Sequence, residues 1–258
     1  MTAIASIYTQ SGFILAADGR QRWGHKPTRN SAVAQKETDC AQKIFRAKSR
    51  DIELGYVIVG DAANLERSFD FAAELRSQVK ALRRARFSNC RDYVSTLMMN
   101  LEPIVERLKR SGELDVYPET YLHFAGYFNT NPCVIDVDFH RYHGRSGLLH
   151  DLNCSEDLAP GRCFVRGSLL VGHLINAGNP MLARYTKPLS QNMSLTEASA
   201  FAKGYIEACS STLAMEIDPE IDWKIGGHIH IASLTPTNGF QWVVPPKRTS
   251  FFSSVFGS

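Results

Sequence analysis

Residues 3–17 read as two short apolar strands, Ala3–Tyr8 and Phe13–Ala17, joined by the polar Thr9-Gln10-Ser11-Gly12. The glycine suits a hairpin turn. A hairpin here constrains the rest of the fold, because it sends the chain back past its own start. Asp18, just beyond the second strand, should therefore lie near Thr2 in space.

Thr2 follows Met1 directly and precedes the small Ala3. Removal of Met1 is usually efficient in that context and would leave Thr2 as a free N-terminus. Its α-amine would then titrate at about 7.7–8.0, so an appreciable neutral fraction exists near pH 7. A threonine hydroxyl is a poor nucleophile, and an adjacent amine is one way to activate it. Apolar hairpins that end in Asp-Gly are also ordinary turns, and on these residues alone both readings stand.

With Ala16-Ala17-Asp18-Gly19-Arg20 included, the stretch resembles the proteasome β-subunit family, with its bacterial relatives, among the N-terminal-nucleophile hydrolases. That family has Thr at the mature N-terminus, an apolar hairpin, and an Asp at the same spacing in a G/A-A/G-D-x-R/Q context. Gln21–Thr38 is polar and reads as a loop. Asp39-Cys40-Ala41-Gln42-Lys43-Ile44-Phe45 then resembles the family's short strand with its catalytic lysine, although a lysine at a strand start is most often a surface residue.

Leu54–Gly60 is a nearly continuous apolar strand. Asp61 to Asn64 should open a helix with apolar positions Leu65, Phe69, Ala72, Leu75, Val79 and Leu82 at helical spacing. In the family the glycine at this turn lends its N–H to the oxyanion hole; Gly60 would equally serve a plain strand-to-helix turn. A second amphipathic helix is expected from Ser88 to Arg110, kinked or divided at Pro103. Two such helices in succession suggest a helical layer over one sheet.

Leu122–Tyr127 and Cys133–Phe139 form a second candidate hairpin, and residues 140–162 read as irregular. The histidines there, His140, His143 and His150, lack a spaced partner and read as exposed side chains before metal ligands. Gly167-Ser168-Leu169-Leu170 opens a helix and resembles the family segment whose serine holds the nucleophile's amine; Ser168 is the nearest hydroxyl. Ser194-Leu195-Thr196-Glu197 is a capping box. Asp222 to Ile231 matches the family pattern D-x-x-S-G-G-x-I-x-V, except that Ile225 stands where the supporting serine would be. His228 and His230 alternate with Ile229 and Ile231, which puts both imidazoles on one side of a strand.

A net charge of +3 with no long basic run argues against nucleic acid. The chain shows neither a signal peptide nor an apolar run of about twenty residues, so no membrane span is expected. Six cysteines without a CxxC pair fit thiols of a reducing compartment, and a cytoplasmic location is expected.

The resemblance implies one domain over residues 1–244, followed by an apolar, serine-rich tail over 245–258 that is either disordered or docks on a neighbouring subunit. It implies an α+β fold, a four-layer αββα sandwich of two antiparallel sheets between helical layers. Thr2 would attack a peptide carbonyl, with its own amine or that of Lys43 as base. Asp18 would orient Lys43, and Gly60 would form the oxyanion site. Arg20, Ser168 and Asp222 would support the centre, while Gln21, Ala41, Phe45, Ile58 and Ala62 would line a pocket for apolar side chains. No cofactor and no metal are implied. The expected partners are a peptide or unfolded protein and further copies of the chain in a ring, with any unfoldase left open. A non-catalytic ring subunit and an N-terminal-nucleophile amidase for small amides are the alternatives.

Overall fold

The computed structural model of the protein describes residues 2–23, 36–60, 63–64, 69–111, 120–139, 150–155, 158–219 and 225–247. The opening hairpin forms as read. β1 (Ile4–Thr9) pairs antiparallel with β2 (Gly12–Ala17), Ile4 opposite Ala17. Residues expected to be loop begin and end in strand, since β3 (Gln21–Trp23) pairs with β4 (Lys36–Thr38). The apolar strand is longer than its sequence core: β5 (Ile44–Lys48) pairs with β6 (Ile52–Gly60).

The first helix starts later than its apolar spacing suggested. Ala63–Asn64 (β7) and Phe69–Asp70 (β8) form a short antiparallel pair, and α1 (Phe71–Ala81) begins only there, capped by the Asp70 carboxylate on the Ala73 N–H. Asp70 supplies the stop to extended structure and the acceptor for the first turn at once. α2 (Cys90–Arg110) is capped by Asn89 and not Ser88, and Pro103 does not divide it. Its inward residues Tyr93, Val94, Leu97, Met98, Leu101 and Val105 are all buried, while Pro103 itself is exposed. Burial of that face outweighs the one backbone bond the proline removes.

β9 (Thr120–Phe128) and β10 (Asn131–Phe139) form the second hairpin, with Asn129 at φ 54° in its turn. The stretch expected to be irregular contributes β11 (His150–Ser155), an edge strand on β10. One-sided pairing tolerates its polar composition. β12 (Cys163–Arg166), α3 (Leu169–Asn176), α4 (Leu195–Cys209), α5 (Thr212–Ile217), β13 (His230–Thr235) and β14 (Gly239–Val244) complete the described elements. The Ser194–Glu197 capping box at the head of α4 is formed in both directions.

The result is an α+β arrangement of two antiparallel five-stranded sheets, in the orders β12-β1-β2-β13-β14 and β11-β10-β9-β6-β5, with five α-helices among the described residues. Three apolar clusters organise it. One joins α1 and α2 to the second sheet through Phe71, Leu97, Tyr56 and Phe124. Another joins α3, α4 and α5 to the first sheet through Val171, Phe201, Tyr205 and Ile7. The third draws on both sheets, with Ile4, Phe13 and Leu234 from the first and Ile44, Val57 and Tyr121 from the second.

Candidate active site

The hairpin register delivers Asp18 to the start of the chain. Its backbone N–H donates to the Ala3 carbonyl at 3.1 Å, and Ala3 returns its own N–H to Asp18 Oδ1 at 3.0 Å. Lys43 arrives from the other sheet, one residue before β5, and stands 3.0 Å from both Thr2 Oγ1 and Asp18 Oδ1. All three side chains are buried, Asp18 completely.

Four donors converge on the Asp18 carboxylate. Oδ1 takes Ala3 N–H and Lys43 Nζ, and Oδ2 takes the backbone N–H groups of Arg20 (3.3 Å) and Gly226 (3.1 Å). Such a carboxylate is fixed in orientation before any ligand arrives. Lys43 feels opposing influences: burial pulls its pKa down, the Asp18 charge and hydrogen bond pull it up, and the Arg20 charge adds to the fall. The net direction is down, which favours a neutral amine beside a hydroxyl.

Arg20 is tied to Asp39 through its Nε at 2.7 Å, a partner the sequence did not point to. Ser168 is fully buried and caps α3 by accepting from the Val171 N–H at 3.0 Å, while its hydroxyl donates to Asp218 at 2.7 Å. The preceding Gly167 has a φ of 123°, and a side chain there would meet Ala3 Cβ at 3.1 Å. Only glycine lets this turn lie against the residue that follows Thr2. Gly60 ends β6 with a φ of 99° and is exposed.

Of the expected pocket residues, Phe45 and Ile58 are buried in the cluster beneath α1 and α2, with Phe45 stacked on Tyr56 at 5.3 Å. The Ile58 N–H donates to the Lys43 carbonyl at 3.0 Å, so the Ile58 backbone adjoins Lys43. Gln21 and Ala41 are half-buried. Ala62 and Asp222 lie outside the described residues, as do His140, His143 and the tail from residue 248. Ile225, where the sequence pattern asks for serine, is buried in the apolar cluster with α4.

The two histidines expected on one strand face part company. His228 precedes β13, after Gly226 and Gly227 at φ 149° and 77°, so strand alternation does not reach it. It lies on an open cleft of about 590 Å³ with Asp39, Cys40, Lys203 and Glu207, and its Nε2 is 2.8 Å from the Pro245 carbonyl. His230 is fully buried and accepts the Lys43 backbone N–H. His150 is also buried, its Nδ1 2.6 Å from Glu102 Oε1. Among the described residues no three His, Cys, Asp or Glu side chains are grouped to hold a metal.

No family model matches the sequence, and no curated protein matches it. Solved structures do. The Anbu complex from Pseudomonas aeruginosa, a helical assembly, superposes with a TM-score of 0.58 at 12% identity, over 98% of this chain and 90% of that one. Anbu (ancestral beta-subunit) from Yersinia bercovieri gives 0.54 at 14%, over 94% and 87%. The Gly-1 mutant of Anbu from Hyphomicrobium sp. strain MC1 gives 0.51 at 15%, over 98% and 91%. At such identities the likeness establishes a shared fold. It also corrects the family read from the sequence: these similar structures are Anbu, a family distinct from the proteasome β-subunits. The motifs that suggested otherwise sit at turns and strand starts, positions that the fold itself constrains.

Proposed function

We propose that this chain is an N-terminal threonine hydrolase that cleaves peptide bonds through an acyl-enzyme on Thr2. The observation that carries the reading is the buried triad: Lys43 Nζ lies 3.0 Å from Thr2 Oγ1 and from Asp18 Oδ1. A lysine amine held between a hydroxyl and a carboxylate is a nucleophile–base–orienter arrangement. The reading further takes the two sheets as the centre of a four-layer αββα sandwich of the N-terminal-nucleophile type, which the three apolar clusters support.

Loss of Met1 frees the Thr2 amine. Thr2 Oγ1 then attacks the carbonyl carbon as its proton passes to Lys43 Nζ, whose lowered pKa suits the amine to that role. The carbonyl π electrons collect on oxygen, near the Gly60 N–H. Collapse expels the amine, which takes the proton from Lys43, and leaves an ester on Thr2. Water, deprotonated in the same way, hydrolyses it. Gln21, Ala41, Phe45, Ile58 and Ala62 form the pocket for an apolar side chain before the cut. Arg20, Ser168 and Asp222 brace the centre.

The chain works as a homo-oligomer in this reading. The Pseudomonas aeruginosa Anbu complex is itself a helical assembly. Leu169 and Leu170 at the head of α3 are 70% and 44% exposed, a surface suited to cover by another copy.

Intact mass and a peptide epoxyketone with an apolar side chain test the reading together. The reagent closes a six-membered ring with a hydroxyl and an α-amine on the same residue, so it reports a free Thr2 directly. Protein lacking Met1 should gain one adduct on Thr2, and Thr2→Ala should gain none. Lys43→Ala should stay folded and lose about two to four orders of magnitude in peptide turnover, the range of general acid–base groups. An assembled protein without Met1 that shows neither adduct nor cleavage would instead be a structural subunit.

A further inference from the structure

The site is divided between the sheets. Thr2 and Asp18 extend the first sheet at the ends of β1 and β2, whereas Lys43 leads into β5 of the second. The separation of Lys43 Nζ from Thr2 Oγ1 therefore depends on how the two sheets register, and apolar packing alone tolerates small slides. The backbone of Lys43 is held from both sides. Its carbonyl accepts the Ile58 N–H of its own sheet at 3.0 Å. Its N–H crosses to the first sheet and donates to His230 Nε2, also at 3.0 Å. His230 opens β13 directly opposite Ala17, the neighbour of Asp18. The acceptor for Lys43 is thus carried by the strand pair that carries Asp18.

We propose that His230 is a positioning residue, which fixes Lys43 against Thr2 and Asp18 by accepting its backbone N–H across the two sheets; this rests on the Thr2 hydrolase reading above.

The chemistry of the ring supports the assignment. Because Nε2 accepts, the proton of the neutral imidazole sits on Nδ1. Nδ1 is buried and lacks a well-formed hydrogen bond, its nearest acceptor being the His228 backbone, which favours the ring proton only weakly against burial. A buried donor so poorly matched costs stability, and buried polar atoms of this kind are uncommon. An apolar side chain would avoid that loss, in a setting where Ala232 and Leu234 continue the same strand into the core. What an apolar side chain cannot do is accept the Lys43 N–H. Burial first, and the Lys43 charge second, push the His230 pKa down to about 3, so the ring remains a neutral acceptor at working pH.

Two variants separate positioning from bulk. His230→Leu keeps much of the volume and removes the acceptor; His230→Gln places an amide oxygen near the position of Nε2. Each is measured for melting temperature, for hydrogen exchange at the Lys43 amide, and for the rate of Thr2 modification by the epoxyketone. In His230→Leu the Lys43 amide should exchange at least ~10-fold faster and Thr2 labelling should slow by about 10–100-fold, the scale of a misplacement near 1 Å. His230→Gln should restore both. Unchanged exchange and labelling in His230→Leu would overturn the proposal. So would equal losses in both variants that follow the melting temperature, since that is the mark of a merely structural residue. If the unaltered protein itself fails to label, the hydrolase reading falls. Loss of Lys43 amide protection in His230→Leu and its return in His230→Gln would even then uphold His230 as the residue that positions Lys43.

Discussion

In the proposed hydrolase Lys43 is the residue on which the chemistry turns, and its environment makes a pH dependence. The rate of Thr2 labelling should rise with pH as Lys43 loses its proton and then level off, with the midpoint below that of an ordinary lysine. Asp18 opposes this fall, so Asp18→Asn should move the midpoint lower still while reducing the plateau. A midpoint that ignores Asp18→Asn would instead assign the base to the Thr2 amine. His230 makes a second, separate prediction. Its folded-state pKa, about 3, lies below its ordinary 6.5. The unfolded chain therefore takes up this proton first, and the contribution of the neutral ring is complete above about 6.5 and declines as pH falls toward 3. Urea midpoints recorded from pH 7 to 4 should show acid destabilisation, and His230→Gln should lessen it. Thr2 and Asp18 are legible in the sequence because a hairpin is local and its register forces them together. The Lys43–His230 bond is not, since its two ends lie 187 residues apart and nothing local marks a histidine as an acceptor for a distant backbone.

At the scale of elements, the same distinction holds. The capping box at Ser194 and the two hairpins are readable because each is decided by residues within a few positions of one another. Apolar spacing misplaces the start of α1 because Leu65 and Phe69 continue the helical period, while the Asp70 cap overrides it. β11 escapes a reading by pattern because an edge strand needs pairing on one side only, and its alternation rests on just two apolar residues, Leu152 and Cys154, in a polar stretch. Pro103 is expected to kink or divide α2, and it does not divide it. It lies on the exposed side, where the carbonyl of Met99, itself 61% exposed, can turn to water. Pro103→Ala should restore the missing backbone bond and stabilise the protein by about 1–3 kcal/mol, within the known cost of proline in a helix interior. Thermal unfolding checks this, and an unchanged or lower melting temperature would show that the proline is matched to a bend the packing requires.

For the whole molecule, the proposed assembly makes the exposed leucines informative. Leu169→Glu combined with Leu170→Glu should lower the mass found by light scattering without lowering the helix content, if α3 meets a neighbouring copy. An unaltered chain that stays monomeric at every concentration would set the assembly aside. No described helix is long and apolar enough to cross a membrane. A last consequence comes from where β1 sits. Chain ends usually fray, yet this first strand is flanked by β12 on one side and β2 on the other. The terminus is threaded through the interior of a sheet. A nucleophile placed on a loose end would have to be immobilised afresh in every catalytic cycle, at an entropic cost set against substrate binding. Here that ordering is completed once, when the protein folds, and in the proposed hydrolase local melting of the terminus should abolish activity long before the remaining fold gives way.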